Sequence, residues 1–185
     1  MSSVYVITGP SGVGKGTLIR ALRREIPELE LSTSATTRSP RTGEENGVDY
    51  HFLETPEFLR RIDAGEFLEH AEYSGNRYGT LRSEVDARTD RGAPVVLEIE
   101  VQGARQIRES MPEAVQIFIA PPSPDALRDR LIGRGTDSDE VINSRLRVAI
   151  EELKAQGEFR HTVVNGDVDA ATAELAQIVR DCEGR

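Results

Sequence analysis

Cysteine, lysine and net positive charge are all scarce in this 185-residue sequence, and each scarcity excludes something. Cys182 stands alone, so no internal disulfide can form; a single thiol fits a reducing compartment and reads as a small apolar residue on the last helix. The formal charge is -9, which leaves no broad basic face for nucleic acid, because neutralising a phosphate backbone requires clustered cations. A phosphate ligand has to be held at a local site instead. Long apolar runs are missing as well: Val4-Tyr5-Val6-Ile7 is far too short for a signal peptide or a membrane span, and no basic segment precedes it. A soluble, cytoplasmic protein with no membrane or nucleic-acid partner is the expectation. His51, His70 and His161 lack the close spacing of a metal site, and none is assigned a catalytic role.

What is present begins with an alternation of strands and helices. The chain is long enough to bury one sizeable core and too short for two full domains, so one compact domain with inserted segments is expected. Val4 to Thr8 is a β-branched run reading as a buried strand, followed by a glycine-rich loop and then Leu18, Ile19, Leu22 and Ile26 at helical spacing. Val95 to Ile99, Val115 to Ile119 and Thr162 to Val164 are further strands, each followed by a helical pattern. Such alternation predicts a parallel sheet covered on both faces. Ile142, Leu146, Ala149, Ile150 and Leu153 form one predicted core stripe, and Leu175, Ala176 and Val179 another. The rhythm fails between Ser32 and Gly92, where short alternating pieces such as Phe67 to Tyr73 surround one short helix opened by Thr55-Pro56; this predicts an inserted small lobe. From Pro121 to about Ile150, a helix opened by Ser123-Pro124, an interruption at Arg134-Gly135 and a long arginine-dense helix suit a mobile cover over anionic ligands.

Gly9-Pro10-Ser11-Gly12-Val13-Gly14-Lys15-Gly16-Thr17 lies between a predicted strand and a predicted helix, the context in which such a run binds phosphate. Its glycines let successive N–H groups turn inward, and the helix N-terminus reinforces them. Of 23 basic residues only Lys15 and Lys154 are lysine, and a compact ammonium reaching the outer phosphates explains why Lys15 is kept in an arginine-rich chain. The hydroxyl that usually follows the lysine is displaced by one residue, to Thr17, so magnesium would be held more through water and phosphate than by the loop. In the segment Ser34 to Glu44, Arg38 and Arg41 have the fork geometry to clamp a second phosphate. Glu98 and Glu100 alternate along Val95 to Val101, so both are expected on one face of a strand near its C-terminal end, where ligands gather in parallel sheets. From spacing alone, Glu69 reads as a solvated strand carboxylate.

Taken together, GPSGVGKGT, Ser34 to Glu44, Asn46 to Tyr50, Ser74 to Gly79, Glu98 to Gly103 and Arg130 to Thr136 resemble the guanylate kinase family, in order and over essentially the whole chain. The resemblance implies an α/β fold: a three-layer P-loop NTPase core with a parallel sheet (residues 1–32, 93–121 and 157–185), an inserted GMP-binding lobe (33–92) and a helical lid (122–156). It implies transfer of phosphate from ATP to GMP, with dGMP as a second acceptor, by a monomer or a homodimer. Arg38, Arg41, Tyr50 and Tyr78 would hold the GMP phosphate, Ser34, Glu69 and Thr80 would read guanine, and Glu44 and Glu98 would also contact GMP. Gly9 to Thr17 would bind ATP with Arg130, Arg134 and Asn165, the last near adenine, while Lys15, Arg41, Arg134 and Arg145 would act in catalysis. Mg2+ would ride on the ATP phosphates and water, with Thr17 and Glu100 as its candidate protein contacts; Glu100 stands where the family more often has aspartate.

Guanine supports the assignment of Glu69 chemically: its adjacent N1–H and N2–H donors suit one carboxylate, and its O6 suits a hydroxyl. Two other readings stay open here. One is a non-catalytic module that uses the lobe to hold a phosphorylated partner, against which the intact loop and Lys15 argue. The other is a kinase of the same shape acting on AMP or a phosphorylated sugar, against which Glu69 and Ser34 argue.

Overall fold

The computed structural model describes residues 3–73, 75–132 and 139–184. In chain order the elements are β1 (Val4–Thr8), α1 (Lys15–Glu25), β2 (Glu30–Leu31), β3 (Ala35–Thr36), β4 (His51–Phe52), α2 (Thr55–Asp63), β5 (Phe67–Tyr73), β6 (Asn76–Leu81), α3 (Arg82–Thr89), β7 (Val95–Glu98), α4 (Val101–Ser110), β8 (Val115–Ala120), α5 (Pro124–Ile132), α6 (Asp139–Lys154), β9 (His161–Val164) and α7 (Val168–Glu183), with a 3-10 turn at Ala155–Glu158.

Five strands form a parallel sheet in the order β2-β7-β1-β8-β9. β1 is wholly buried at its centre, which is why Val4 to Thr8 has no polar alternation. Successive residues still serve opposite faces. Tyr5 and Ile7 join Leu18, Leu22, Leu175 and Val179 under α1 and α7, whereas Val4 and Val6 join Leu97, Ala104, Ile107 and Phe118 on the α4 side. The Tyr5 hydroxyl ties the sheet to α7, donating to Val179 O at 3.2 Å and to Glu183 Oε1 at 2.8 Å; burial and the Glu183 carboxylate push its pKa well above the usual phenol range.

The segment from β3 to β6 builds a separate four-stranded sheet, β4-β3-β6-β5, parallel between β3 and β4 and antiparallel elsewhere. Its own small core holds Ala35, Phe58, Phe67 and Leu81, with the Phe58 and Phe67 rings stacked at 4.5 Å. Two helices rather than one accompany it: α3 was not legible because it buries only Val85 and carries no apolar stripe.

Two further expectations are corrected. Ile150, predicted in the α6 core stripe, is 42% exposed, because Ala149 takes the inward position and the neighbouring residue faces solvent. Ile142 of that stripe has a side chain outside the described residues, as do Ser74 and the whole of the Arg134-Gly135 interruption. Glu100 is not on a strand: β7 ends at Glu98, and Glu100 is the N-cap of α4, which starts at Val101. The apolar alternation of Val95 to Val101 hid that switch, because Val101 begins a helical stripe with Ala104 and Ile107. Among the described residues, no helix is long and apolar enough to cross a membrane.

Candidate active site

β1 delivers the glycine-rich loop to the C-terminal edge of the parallel sheet, between β7 and β8. The loop glycines Gly9, Gly12 and Gly14 all have positive φ, and two show why a side chain is excluded. Gly9 has φ 143° and lies so close to Ile119 O that any Cβ would collide with backbone. Gly14 caps α1 with φ 97°, and a Cβ there would sit 2.7 Å from the Asn165 side-chain nitrogen. Lys15, only 7% exposed, folds back over the loop and donates to Gly9 O at 2.6 Å; its Nζ lies 3.9 Å from Glu100 Oε1. A space of about 310 Å³ above the loop is lined by Ser11, Lys15, Thr17, Arg20, Glu98 and Glu100, among others.

Several elements brace this loop from outside. Arg130, on α5, donates to Val13 O at 3.1 Å and to Asn165 O at 2.7 Å, and the Asn165 amide donates to the same Val13 carbonyl at 2.8 Å. Arg130 and Asn165 therefore grip the back of the loop, and the Asn165 amide expected near adenine is buried there at 3% exposure. Arg145, on α6, donates to Ser11 Oγ at 3.1 Å. Arg134 lies outside the described residues.

Sequence reading missed Glu152. This α6 residue accepts the Ser11 backbone N–H at 3.2 Å, placing a carboxylate on the loop that is built to receive anions. Burial and the adjacent Glu100 carboxylate push Glu152 upward, Lys15 pulling the other way. No local motif marks Glu152; only the packing of α6 over the loop brings it there.

Between the two sheets lies a cavity of about 330 Å³ whose walls include Lys15, Ser34, Tyr50, Glu69, Tyr78 and Glu98. Tyr50 and Tyr78 meet edge to face at 6.2 Å. Arg38 lies over the Tyr50 ring, 5.3 Å from its centroid, and its guanidinium makes a fork with Glu44 at 2.8 and 3.0 Å. That fork, reinforced by the Arg41 backbone N–H at 2.7 Å, holds the Glu44 carboxyl below its ordinary range and raises Arg38. Neither Arg38 nor Arg41 lines the cavity; Arg38 is engaged by Glu44 and the Arg41 side chain is exposed.

Glu69 overturns its spacing-based reading. Far from being solvated, it is 5% exposed and accepts a hydrogen bond from Thr80 Oγ1 at 2.7 Å. The two residues pair across β5 and β6, so the sheet register sets the contact. Burial pushes the Glu69 carboxyl up to about 7, with the Thr80 hydroxyl and N–H pulling it back.

Glu98 and Glu100 still face one cleft, although they sit on different elements. Glu98 stays accessible to solvent on one side; the protein packed on its other side raises its pKa, Lys15 lowers it and Glu100 raises it. Among the described residues, no hydrogen-bond donor meets the buried Glu100 Oε2. Two carboxylates and the Thr17 hydroxyl are hard oxygen donors of the kind a small divalent cation accepts, leaving its other positions to phosphate and water. Thr17 Oγ1 meanwhile accepts from Arg20 at 3.2 Å. Among the described residues, no group of three or more His, Cys, Asp or Glu side chains forms a protein-only metal cage.

Comparison with known proteins gives one consistent result. The family model described as "Guanylate kinase" matches residues 1–182. The chain is 54% identical over 170 residues to a guanylate kinase of Synechococcus sp. (strain CC9311), covering 92% of this chain and 90% of that protein. It is 55% identical over 170 residues to one from Streptomyces coelicolor, covering 92% and 86%. A crystal structure of guanylate kinase from Anaplasma phagocytophilum superimposes with a TM-score of 0.78 at 34% identity, over 97% of this chain and 85% of that one. A gluconokinase from Sinorhizobium meliloti 1021, at 21% identity and a TM-score of 0.51, shares the fold alone.

Proposed function

This chain belongs to the guanylate kinase family and phosphorylates GMP from ATP, giving GDP and ADP; from that premise we propose how its residues divide the work. Residues 33–92 form the acceptor lobe, 122–156 the lid, and the remainder the core. The observation that carries this division is one cavity shared by Glu69 and Lys15, which joins a base-sized space to the phosphate loop.

Glu69 reads guanine. As a carboxylate it accepts N1–H and N2–H together, while the hydroxyls of Ser34 and Thr80 serve the rest of that edge. AMP would present an acceptor to the same carboxylate and leave buried groups unpaired, a mismatch that supplies up to roughly 10⁴-fold discrimination. Arg38, Arg41, Tyr50 and Tyr78 hold the GMP phosphate, with Arg38 exchanging Glu44 for phosphate oxygens and Glu98 completing the acceptor site. dGMP, with the same base and phosphate, is a second acceptor.

Gly9 to Thr17 cradle the ATP phosphates, braced by Arg130 and Asn165. Mg2+ is the metal this donor set suits: Thr17, Glu98 and Glu100 would approach it, and when bound it neutralises phosphate charge. The attacking GMP oxygen needs no general base, since the second phosphate pKa is about 6 and the group is largely ionised at neutral pH. Lys15, Arg41, Arg134 and Arg145 therefore act by positioning and by charge stabilisation on the transferring group. The role assigned to this reaction is the recycling of guanine nucleotides in the cytoplasm, the reducing compartment that a lone thiol suits.

The test is ADP release from MgATP with GMP, dGMP, AMP, CMP and ribose phosphates offered separately. Turnover restricted to GMP and dGMP is expected; equal turnover with AMP would defeat the role given to Glu69.

A further inference from the structure

One face of α4 seats the base-reading strand. Gly103, Gln106 and Ser110 recur at helical spacing, and between them they meet the three consecutive β5 residues Leu68, Glu69 and His70. Gly103 lies so close to Glu69 Oε2 that a Cβ there would overlap the carboxylate. The Gln106 amide donates to His70 O at 2.8 Å and accepts the His70 N–H at 3.1 Å. Ser110 Oγ reaches Leu68 O at 3.3 Å.

β5 is an edge strand of its sheet, so one side of its backbone lacks a strand partner. Gln106 supplies the missing pair of hydrogen bonds at His70, acting as a one-residue strand. A bulge between Phe67 and Glu69 completes the arrangement: Phe67 packs in the lobe core, while Leu68 turns into the core beside Val85, Leu97 and Ala104. The carboxylate that follows is thus mounted on the catalytic core.

We propose that Gly103 and Gln106 are positioning residues for base specificity: Gln106 fixes the height of β5 and Gly103 leaves the space in which the Glu69 carboxylate lies against α4 and faces the base. This rests on Glu69 as the guanine reader. Gln106 stands behind β5, outside the cavity lining, whereas Gly103 forms part of the cavity wall beside Glu69. Both act through Glu69, so they govern the acceptor and not ATP.

Gly103→Ala, Gln106→Leu and Glu69→Gln are to be compared with the wild-type enzyme for KM of GMP and of ATP, for thermal unfolding, and for the preference for GMP over IMP, which lacks the N2 amine. Alanine favours the helix while its Cβ crowds a buried carboxylate, so Gly103→Ala is expected to fold and to melt cooperatively at or somewhat below the wild-type temperature. Its KM for GMP should nevertheless rise about tenfold or more, with KM for ATP within twofold and the GMP-to-IMP preference falling toward one, as in a single lost bidentate contact. Gln106→Leu should move the same quantities in the same direction. Unchanged KM for GMP and unchanged GMP-to-IMP preference in folded Gly103→Ala and Gln106→Leu, with Glu69→Gln impaired, would overturn the proposal. Equal losses toward ATP and GMP would overturn it too, by showing a merely structural role. An unimpaired Glu69→Gln would instead overturn the underlying reading of Glu69.

Discussion

Glu152 and Ser11, 141 residues apart, are joined by a 3.2 Å hydrogen bond from the backbone N–H of the phosphate loop to an α6 carboxylate. A carboxyl group, held toward its protonated form by burial and by the neighbouring Glu100 carboxylate, therefore occupies a donor suited to phosphate. Glu152→Ala removes the competing acceptor, and tighter ATP binding is expected. One partly buried hydrogen bond corresponds to about 1 kcal/mol, or roughly fivefold in Kd. Titration calorimetry with MgATP would measure it; weaker binding would mean that Glu152 supports the loop instead of competing at it.

Acceptor affinity should depend on pH through Glu69. Guanine donates to the carboxylate, and burial raises this group to about 7, so the binding-competent form is lost as pH falls through neutrality. KM for GMP at saturating ATP is expected to rise toward tenfold per pH unit below about 7 and to level off above it. The stability linkage has the opposite sense. With the folded pKa above the ordinary 4.5, the fold favours the protonated acid, so this contribution is fully present below about 4.5 and is lost as pH rises to about 7. Thermal unfolding of the ligand-free protein across that range, with Glu69→Gln as control, checks the sign.

Lys15→Met should lower kcat by at least roughly 10³-fold while leaving GMP binding largely intact, because the residue acts on the transferring phosphate and the base is read on the other sheet. Steady-state turnover and GMP titration of the variant separate the two. Comparable loss of both would mean that Lys15 serves the acceptor as well, as its place in the shared cavity wall permits.

ATP and GMP together should bring the two sheets and the α5–α6 segment closer, excluding water from the reacting phosphates. Small-angle scattering of the free enzyme and of its complex with GMP and a non-hydrolysable ATP analogue should give a smaller radius of gyration for the complex. Superimposable free and doubly liganded structures would refute closure.

The phosphate loop was legible in the sequence because its information is contiguous: strand, glycines, lysine and helix follow within a few residues, and Gly9 and Gly14 need backbone conformations that few other residues adopt. Four of the five parallel core strands and the helical stripes of α1 and α7 were legible for the same reason, since periodicity is local; the two-residue β2 and the order of the strands were not. Failures fell where periodicity carries no information. α3 buries one residue, Ile150 sits one position off the inward row, and Glu100 stands at a strand-to-helix switch concealed by β-branched neighbours.

By itself, then, the sequence determined that this protein binds nucleotide phosphate on a parallel α/β core, because short-range chain geometry and residue chemistry suffice for that. Only tertiary structure decided the state of Glu69, a carboxylate that spacing would leave in water. The Thr80 partner across the sheet, the gap at Gly103 and the clamp from Gln106 lie between 11 and 36 residues away from the β5 residues they touch, and no local pattern encodes their meeting. Burial of a charge depends on what surrounds it in space, and the fold alone supplies those surroundings.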